Sequence, residues 1–326
     1  MAAPTLLVTG ASGRVGRAAL SFLAKSGKFN LRAVARSEAS FDTLREYGAD
    51  ECVTLNLQEQ ASWEAATDGV TKVFSSSPDS LIVEHMDFAK YLGNKGTIDH
   101  AVRISCMGAD TNTNMYDKDV HSSIDDEIIP LMLQHYWWSE ECLISAGIPT
   151  TSVRGNFYMN HLLKNELENI SNGFFQSPLG KCRNSFVSAI DQGEAAALCL
   201  IQGPAAHANK FYDICGPQPQ NMHEVAADLS NAMGTTIEYR EQDIDKFKED
   251  FGATRAAFFE YLRNGFYTRC SPDFYNLTGR RPTSYQEYLS QPGPHGGTGL
   301  EELFSSTGSL YTKGVDQFAH LANVKK

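Results

Sequence analysis

The chain has 326 residues, 42% of them hydrophobic and 21% charged, which suits a globular protein with one large α/β domain and a satellite or with two small domains. A formal net charge of −11 argues against general nucleic-acid or membrane-surface binding, since both need basic patches. The seven cysteines (52, 106, 142, 182, 199, 215 and 270) include no C-x-x-C pair and the nine histidines no metal-ligand spacing, so reduced thiols, no metal and no membrane span are expected in a cytoplasmic protein.

Thr5 to Val8 reads as the first strand, and Val15, Ala18, Ala19, Phe22 and Leu23 fall on one face of a following helix. Between them lies Gly10-Ala-Ser-Gly13-Arg-Val-Gly16. Strand, glycine-rich turn and helix start make the phosphate cradle of a dinucleotide site. Gly10 permits the turn, Gly13 lets the pyrophosphate approach the backbone, and Gly16 lets the helix pack on the sheet. The free N–H groups and helix dipole then face the negative charge. Gly10, Ser12, Gly13, Arg14, Val15 and Gly16 are the expected contacts.

Asn30 to Ala35 is the second strand and delivers Arg36, twenty residues after Gly16. An NAD site places an acid there for the ribose 2′-hydroxyl. The guanidinium fork suits a 2′-phosphate instead, and Arg14 adds charge, so NADP(H) is the expected cofactor.

Phe41 to Tyr47 fits a short helix, Glu51 to Leu55 the third strand, Ser62 to Thr67 a helix and Lys72 to Ser76 the fourth strand. Strand ends three and four add Asn56, Leu57, Ser77 and Pro78 to the expected cofactor contacts. Residues 81 to 92 form a helix and Ala101 to Cys106 the fifth strand. This alternation predicts an α/β fold, a doubly wound parallel Rossmann sheet of order 3-2-1-4-5-6 with ligands at the carboxyl ends of its strands.

The polar stretch Asp110 to Glu127 is long for a connection and is expected to border the cleft mouth. A helix follows from Pro130 to Ala146, with Gly147 as its C-cap, and Thr150 to Val153 is the sixth strand. Ser185 to Ile190 and Phe211 to Ile214 read as further strands, and Asp191 and Glu194 as a capping box before Ala195 to Leu200.

Three regions result: an NADP-binding Rossmann domain over 1–155, completed by strands near 185–215; a smaller, mostly helical substrate region over 156–290; and a Gly/Pro-rich tail over 291–326. The smaller region carries the stripe Val225, Ala226, Leu229 and Met233. Phe304, Tyr311 and Phe318 in the tail are expected to pack over it or against a second subunit, unless the terminus frays.

In this order the motifs resemble the NmrA-like branch of the atypical short-chain dehydrogenase/reductases. The resemblance spans about residues 4 to 290 and rests on Gly10 to Gly16, Arg36, Val73-Phe74 and Ile104-Ser-Cys-Met-Gly-Ala-Asp110. It continues through Ser145-Ala-Gly-Ile-Pro-Thr-Thr-Ser-Val-Arg-Gly-Asn-Phe-Tyr-Met-Asn160 and Leu277-Thr-Gly-Arg-Arg-Pro-Thr-Ser-Tyr285. It implies NADP(H) at the strand ends and a substrate between the Rossmann part and the smaller domain. Some such proteins reduce quinones, dyes, imines or enones; others are redox-sensing regulators that bind a partner protein.

Typical short-chain dehydrogenases use Tyr-x-x-x-Lys, the Lys lowering the tyrosine pKa. This chain has Tyr136-Trp-Trp-Ser-Glu140. Tyr136 is the expected catalytic residue, a hydrogen-bond donor as a neutral phenol, with the Glu140 carboxylate expected to raise its pKa. Gly155 replaces the family's Pro, His161 its Asn, and Cys106 a common second Ser. Trp137, Trp138, Phe157, Tyr158 and Met159 sit in the segments expected to wall the substrate cleft, where a flat apolar substrate would stack.

Met107, Gly108, Trp137, Tyr158 and Asn160 are the expected substrate contacts, and Asn156 and Phe157 join the cofactor contacts. Asn156 or Asn160 would orient the nicotinamide amide or a substrate carbonyl. The expectation is an NADPH-dependent oxidoreductase of a small, flat or conjugated acceptor (quinone, enone, imine or carbonyl). The alternative is a catalytically silent NADP(H) sensor with a regulatory protein partner, and a homodimer is open in either case.

Overall fold

The computed structural model describes residues 3–109, 131–293 and 297–305. The stretch 110–127, Tyr311 and Phe318 therefore lie outside the described residues. Its strands are β1 (Thr5–Val8), β2 (Asn30–Ala35), β3 (Glu51–Thr54), β4 (Val70–Ser75), β5 (His100–Cys106), β6 (Thr150–Gly155), β7 (Phe174–Ser177), β8 (Phe211–Ile214) and β9 (Glu238–Glu241). Seven of them form one parallel sheet in the order β3-β2-β1-β4-β5-β6-β8. The chain order reverses between β1 and β4, which opens a crevice at their carboxyl ends.

The apolar runs behave as strands covered on both faces should. Leu6 and Val8 pack into one layer with Ala19, Leu20 and Leu23 of helix Arg14–Ser26 and Ala195, Ala196 and Leu200 of helix Ala189–Gln202. Leu7 points the other way, into a layer with Trp63, Phe88, Leu92 and Leu143. The first pair of helices meets closely: a Cβ on Gly193 would lie 2.7 Å from the Ala18 Cβ and 2.8 Å from the Val15 carbonyl oxygen. Helix Leu131–Ser145 lies beside helix Ile82–Lys95 in the second layer.

A third core lies under the smaller region, built from Phe157, Phe175, Phe258, Phe259, Tyr261 and Tyr267. Helix Met222–Met233 buries Val225, Ala226 and Leu229 of the expected stripe, and its capping box is Asn221 with Glu224. The region is not wholly helical, because β7 and β9 pair as a small parallel ladder. Sixty-odd residues separate these strands, beyond the reach of local periodicity.

Two further expectations are corrected. Ser185 to Ile190 is not a sheet strand: Val187 makes a single bridge to Tyr158, and Asn184 one to Gln220. The helix begins at Ala189 with Ser188 as its cap, the hydroxyl accepting from the Ile190 amide at 3.2 Å. Asp191 and Glu194 are thus inside the helix and form no capping box. Asp191, fully buried, accepts from Arg280 at 2.7 Å and from the Thr283 amide and hydroxyl at 2.7 and 2.8 Å, and Glu194 also pairs with Arg280.

The tail holds a short helix, Gly299–Ser305, in which Leu303 is fully buried while Phe304 is 43% exposed. No described helix is long and apolar enough to cross a membrane.

Candidate cofactor and substrate site

After β1 the backbone turns at Gly10, whose φ is +62°. A Cβ there would lie 2.9 Å from both the Ser76 Cβ and the Ser76 carbonyl oxygen. The Thr9 hydroxyl locks the turn to the end of β4, accepting from the Ser76 amide at 2.9 Å. A Cβ on Gly16 would fall 2.2 Å from the Gly10 carbonyl oxygen, a backbone clash that no rotamer relieves. Gly13 is exposed and stands before the first turn of helix Arg14–Ser26, which no side chain caps. The uncapped N–H groups and the missing Cβ leave a cradle that fits a pyrophosphate.

The cradle opens on a cavity of about 210 Å³ whose walls include Arg14 and Val15, Ser77, Arg103, Tyr136 and Asn160. Asn160 is 3% exposed, and its Nδ2 has no hydrogen-bond partner among the described residues. A buried donor left without an acceptor costs about 1–3 kcal/mol, which a ligand oxygen would recover. Asn160, an expected substrate contact, lines this cavity beside the glycine cradle.

A second cavity, about 70 Å³, adjoins it and is lined by Ser105, Cys106, Asn156 and Phe157 together with Phe258 and Phe259 of helix Ala253–Arg263. Tyr136, Tyr158 and His161 belong to both cavities. Lost hydration, helped by the nearby charges of Arg255 and Arg14, holds the His161 imidazole neutral, its pKa pushed down to about 3. The Ser105 hydroxyl is buried with no hydrogen-bond partner among the described residues.

Arg103, 3% exposed on β5, connects these parts. Its Nε donates to Ser139 Oγ at 3.0 Å, and one Nη reaches Ser77 Oγ at 3.1 Å. Ser139 Oγ in turn donates to the Tyr136 carbonyl at 2.7 Å. One guanidinium therefore ties the loop after β4 to the helical turn that carries Tyr136. Sequence reading missed Arg103 and Ser105, because an arginine or serine inside a strand has no signature until the sheet order is known.

Glu140, one turn beyond Tyr136, takes a partner from the sheet. It is 1% exposed, lines neither cavity and forms a two-pronged pair with Arg154 of β6, Nε to Oε1 at 2.9 Å and Nη2 to Oε2 at 2.7 Å. Its charge is answered by Arg154. A one-turn spacing shows which helix face two residues share, but not which strand reaches that face.

Other expected contacts are distributed as follows. Arg36 is exposed just beyond β2 and has no ion pair among the described residues. Ser77 accepts from Arg103, and Pro78 is exposed beside it. Ser12 is exposed on the glycine turn. Asn56 spends its side chain locally, donating to Glu59 at 2.8 Å and accepting from the Gln58 amide at 3.1 Å, while Leu57 packs into the core under β1 and β4. The Asn156 amide is likewise engaged, donating to the Tyr267 carbonyl at 3.0 Å and accepting from the Phe157 amide at 2.6 Å.

Met107, Gly108 and Trp137 line neither cavity. Met107 is 1% exposed with its carbonyl accepting from the Tyr267 phenol at 2.7 Å, and Gly108 is packed beneath Phe266. Arg14 is shared: its Nε donates to Glu302 of the tail helix at 2.7 Å, and that carboxylate also lies 3.5 Å from Arg17.

Residues 10–161, which hold the glycine cradle and Tyr136, match the family profile described as NAD(P)H-binding. The NAD(P)H azoreductase of Xenophilus azovorans is 24% identical over 296 residues, spanning 87% of this chain and 96% of the relative. The NADPH-dependent quinone oxidoreductase of Escherichia coli, solved with NADPH, superposes with a TM-score of 0.73 at 20% identity, over 87% of this chain and 98% of that one. Nmra, a negative transcriptional regulator, superposes with a TM-score of 0.70 at 16% identity, over 94% and 99% of the two chains. The chain thus shares its Rossmann-type fold with both of these solved structures.

Proposed function

We propose that this chain is an NADPH-dependent reductase whose acceptor is flat and conjugated, such as a quinone, an azo compound, an enone or an imine. The observation that carries this reading is the position of Tyr136, which walls both the cofactor cavity and the adjoining smaller one. NADPH when bound supplies a hydride. The chain supplies the rest: the glycine cradle and Arg36 hold phosphate, and Asn160 donates into the cofactor cavity. Phe258 and Phe259 offer apolar faces to the acceptor, while Ser105 and the Tyr136 phenol donate to its heteroatom.

No lysine stands one turn beyond Tyr136 to sharpen its acidity. A conjugated acceptor tolerates that, because its reduced form spreads the charge. Quinones, azo dyes and enones should therefore be turned over with NADPH well above background, and simple ketones hardly at all. Tyr136→Phe should lower kcat by about 10²-fold with NADPH affinity unchanged. Wild-type turnover in that variant would hand the proton step to water or Ser105.

The preference for the phosphorylated nucleotide rests on Arg36, exposed and charged where an NAD site carries an acid. Arg36→Ala should weaken NADPH by about 1.5–3 kcal/mol in calorimetry and leave NADH almost unaffected. Equal wild-type affinity for the two nucleotides would remove this assignment. The second reading, a silent NADP(H) sensor that binds a regulatory protein, draws support from Glu140 standing in the lysine position. Tight NADPH binding with no turnover of any acceptor would select it.

A further inference from the structure

The last strand of the sheet, β8, runs directly into Cys215 and Gly216. Cys215 is 1% exposed. The Gly216 amide donates to the Ser185 carbonyl at 3.1 Å, and a Cβ on Gly216 would fall 2.2 Å from the Phe186 carbonyl oxygen, so the chain presses against Ser185 and Phe186 here.

The segment Cys270–Ser271 reaches the same spot from the smaller region. The Ser271 amide donates to Cys215 Sγ at 3.0 Å, and the Cys215 thiol lies 3.8 Å from the Ser271 carbonyl oxygen. Cys270 Sγ is 3.1 Å from Ser185 Oγ. Because the Ser271 nitrogen is bonded to the Cys270 carbonyl carbon, the Cys215 sulfur sits beside the Cys270 backbone. Cys215 and Cys270 are thus neighbours where the smaller region meets the end of β8. One is open to solvent and the other is sealed: Cys270 is exposed, Cys215 buried.

We infer that Cys215 and Cys270 form a redox pair that closes to an intramolecular disulfide when a hydroperoxide oxidises the exposed thiol. The Cys270 thiolate attacks the terminal peroxide oxygen and the O–O bond breaks, so that Cys270 becomes a sulfenic acid and the expelled hydroxide or alkoxide takes up the proton that Cys270 gave up. The Cys215 sulfur then attacks the Cys270 sulfur and the S–O bond breaks. The departing hydroxide leaves as water with the Cys215 proton. With hydrogen peroxide, two thiols and one oxidant give one disulfide and two waters, an organic hydroperoxide releasing its alcohol in place of one water, and a thiol reductant reverses the change. Burial pushes the Cys215 thiol up to about 12, which fits a partner that stays protonated until the sulfenic acid forms beside it.

The cross-link joins the end of β8 to the segment holding Tyr267. The Tyr267 carbonyl accepts from Asn156 in the wall of the smaller cavity. It therefore fastens the smaller region to the sheet next to the proposed acceptor.

The experiment is a thiol map of the reduced, full-length wild-type protein before and after hydrogen peroxide, by alkylation, digestion and mass spectrometry. The expected product is a Cys215–Cys270 peptide pair lacking two hydrogen atoms, reopened by dithiothreitol, in protein that melts higher than the reduced form. In Cys215→Ser, dimedone should trap a sulfenic acid at Cys270 at least about fivefold more than in wild type. The inference is overturned if oxidised wild-type protein shows Cys270 as a free thiol or sulfinic acid, or joined to Cys182 or to a second molecule. The wild-type map decides even if Cys215→Ser folds poorly.

Discussion

Replacing Glu140 with alanine is expected to lower stability by about 3–5 kcal/mol. The carboxylate is 1% exposed and meets the Arg154 guanidinium along both edges, while that guanidinium also lies over the Phe211 ring at 4.4 Å from its centroid. Two ions removed from water in this geometry gain little over an apolar pair of equal volume. One ion left behind costs far more, because the buried arginine then loses the carboxylate that meets both its edges. A urea titration should show a lower midpoint with an unchanged slope. The double variant Glu140→Leu with Arg154→Met should recover most of the loss. A cost below about 1 kcal/mol, that of an exposed pair, would mean that water reaches these groups.

Gly13→Val is expected to weaken NADPH by about a thousandfold or more, roughly 4 kcal/mol, with the circular dichroism spectrum preserved. Gly13 has a φ of −74°, which any residue adopts, and a Cβ there would lie 3.3 Å from the Gly10 carbonyl oxygen, tight but tolerable. The added side chain instead fills the space over the uncapped helix start. Gly16→Val offers the contrast, since its Cβ would sit 2.2 Å from that same oxygen and should damage the fold as well. Unchanged NADPH affinity in a folded Gly13→Val protein would take this loop out of the site.

The parts legible in the sequence were those whose physics is local. β2 and β8 fall on Asn30–Ala35 and Phe211–Ile214 as their β-branched and apolar runs suggest, and the glycine turn declares itself because strand, turn and helix are contiguous. Helix Ala189–Gln202 was displaced in the reading because Ser185 to Val187 is apolar enough for a strand, yet it makes only single bridges across the chain. The β7–β9 ladder and the Glu140–Arg154 pair depend on contacts set by the assembled sheet, which residue spacing does not encode. The same holds within the site. Tyr136 stood out by its place on a helix, whereas Ser105 and Arg103 matter only through what the neighbouring strand and helix bring to them.

The shared walls of the two cavities also bear on kinetic order. Tyr136, Tyr158 and His161 line both, so in the proposed reaction the bound nucleotide completes one side of the acceptor space. Acceptor entering first would meet a pocket open on that side and bind weakly. Turnover should therefore be sequential and compulsory, nucleotide on first and oxidised nucleotide off last. In steady-state assays NADP⁺ should compete with NADPH, while an unreactive acceptor analogue should be uncompetitive against it. Random addition, seen as noncompetitive inhibition by that analogue, would mean that the protein alone builds a complete acceptor pocket.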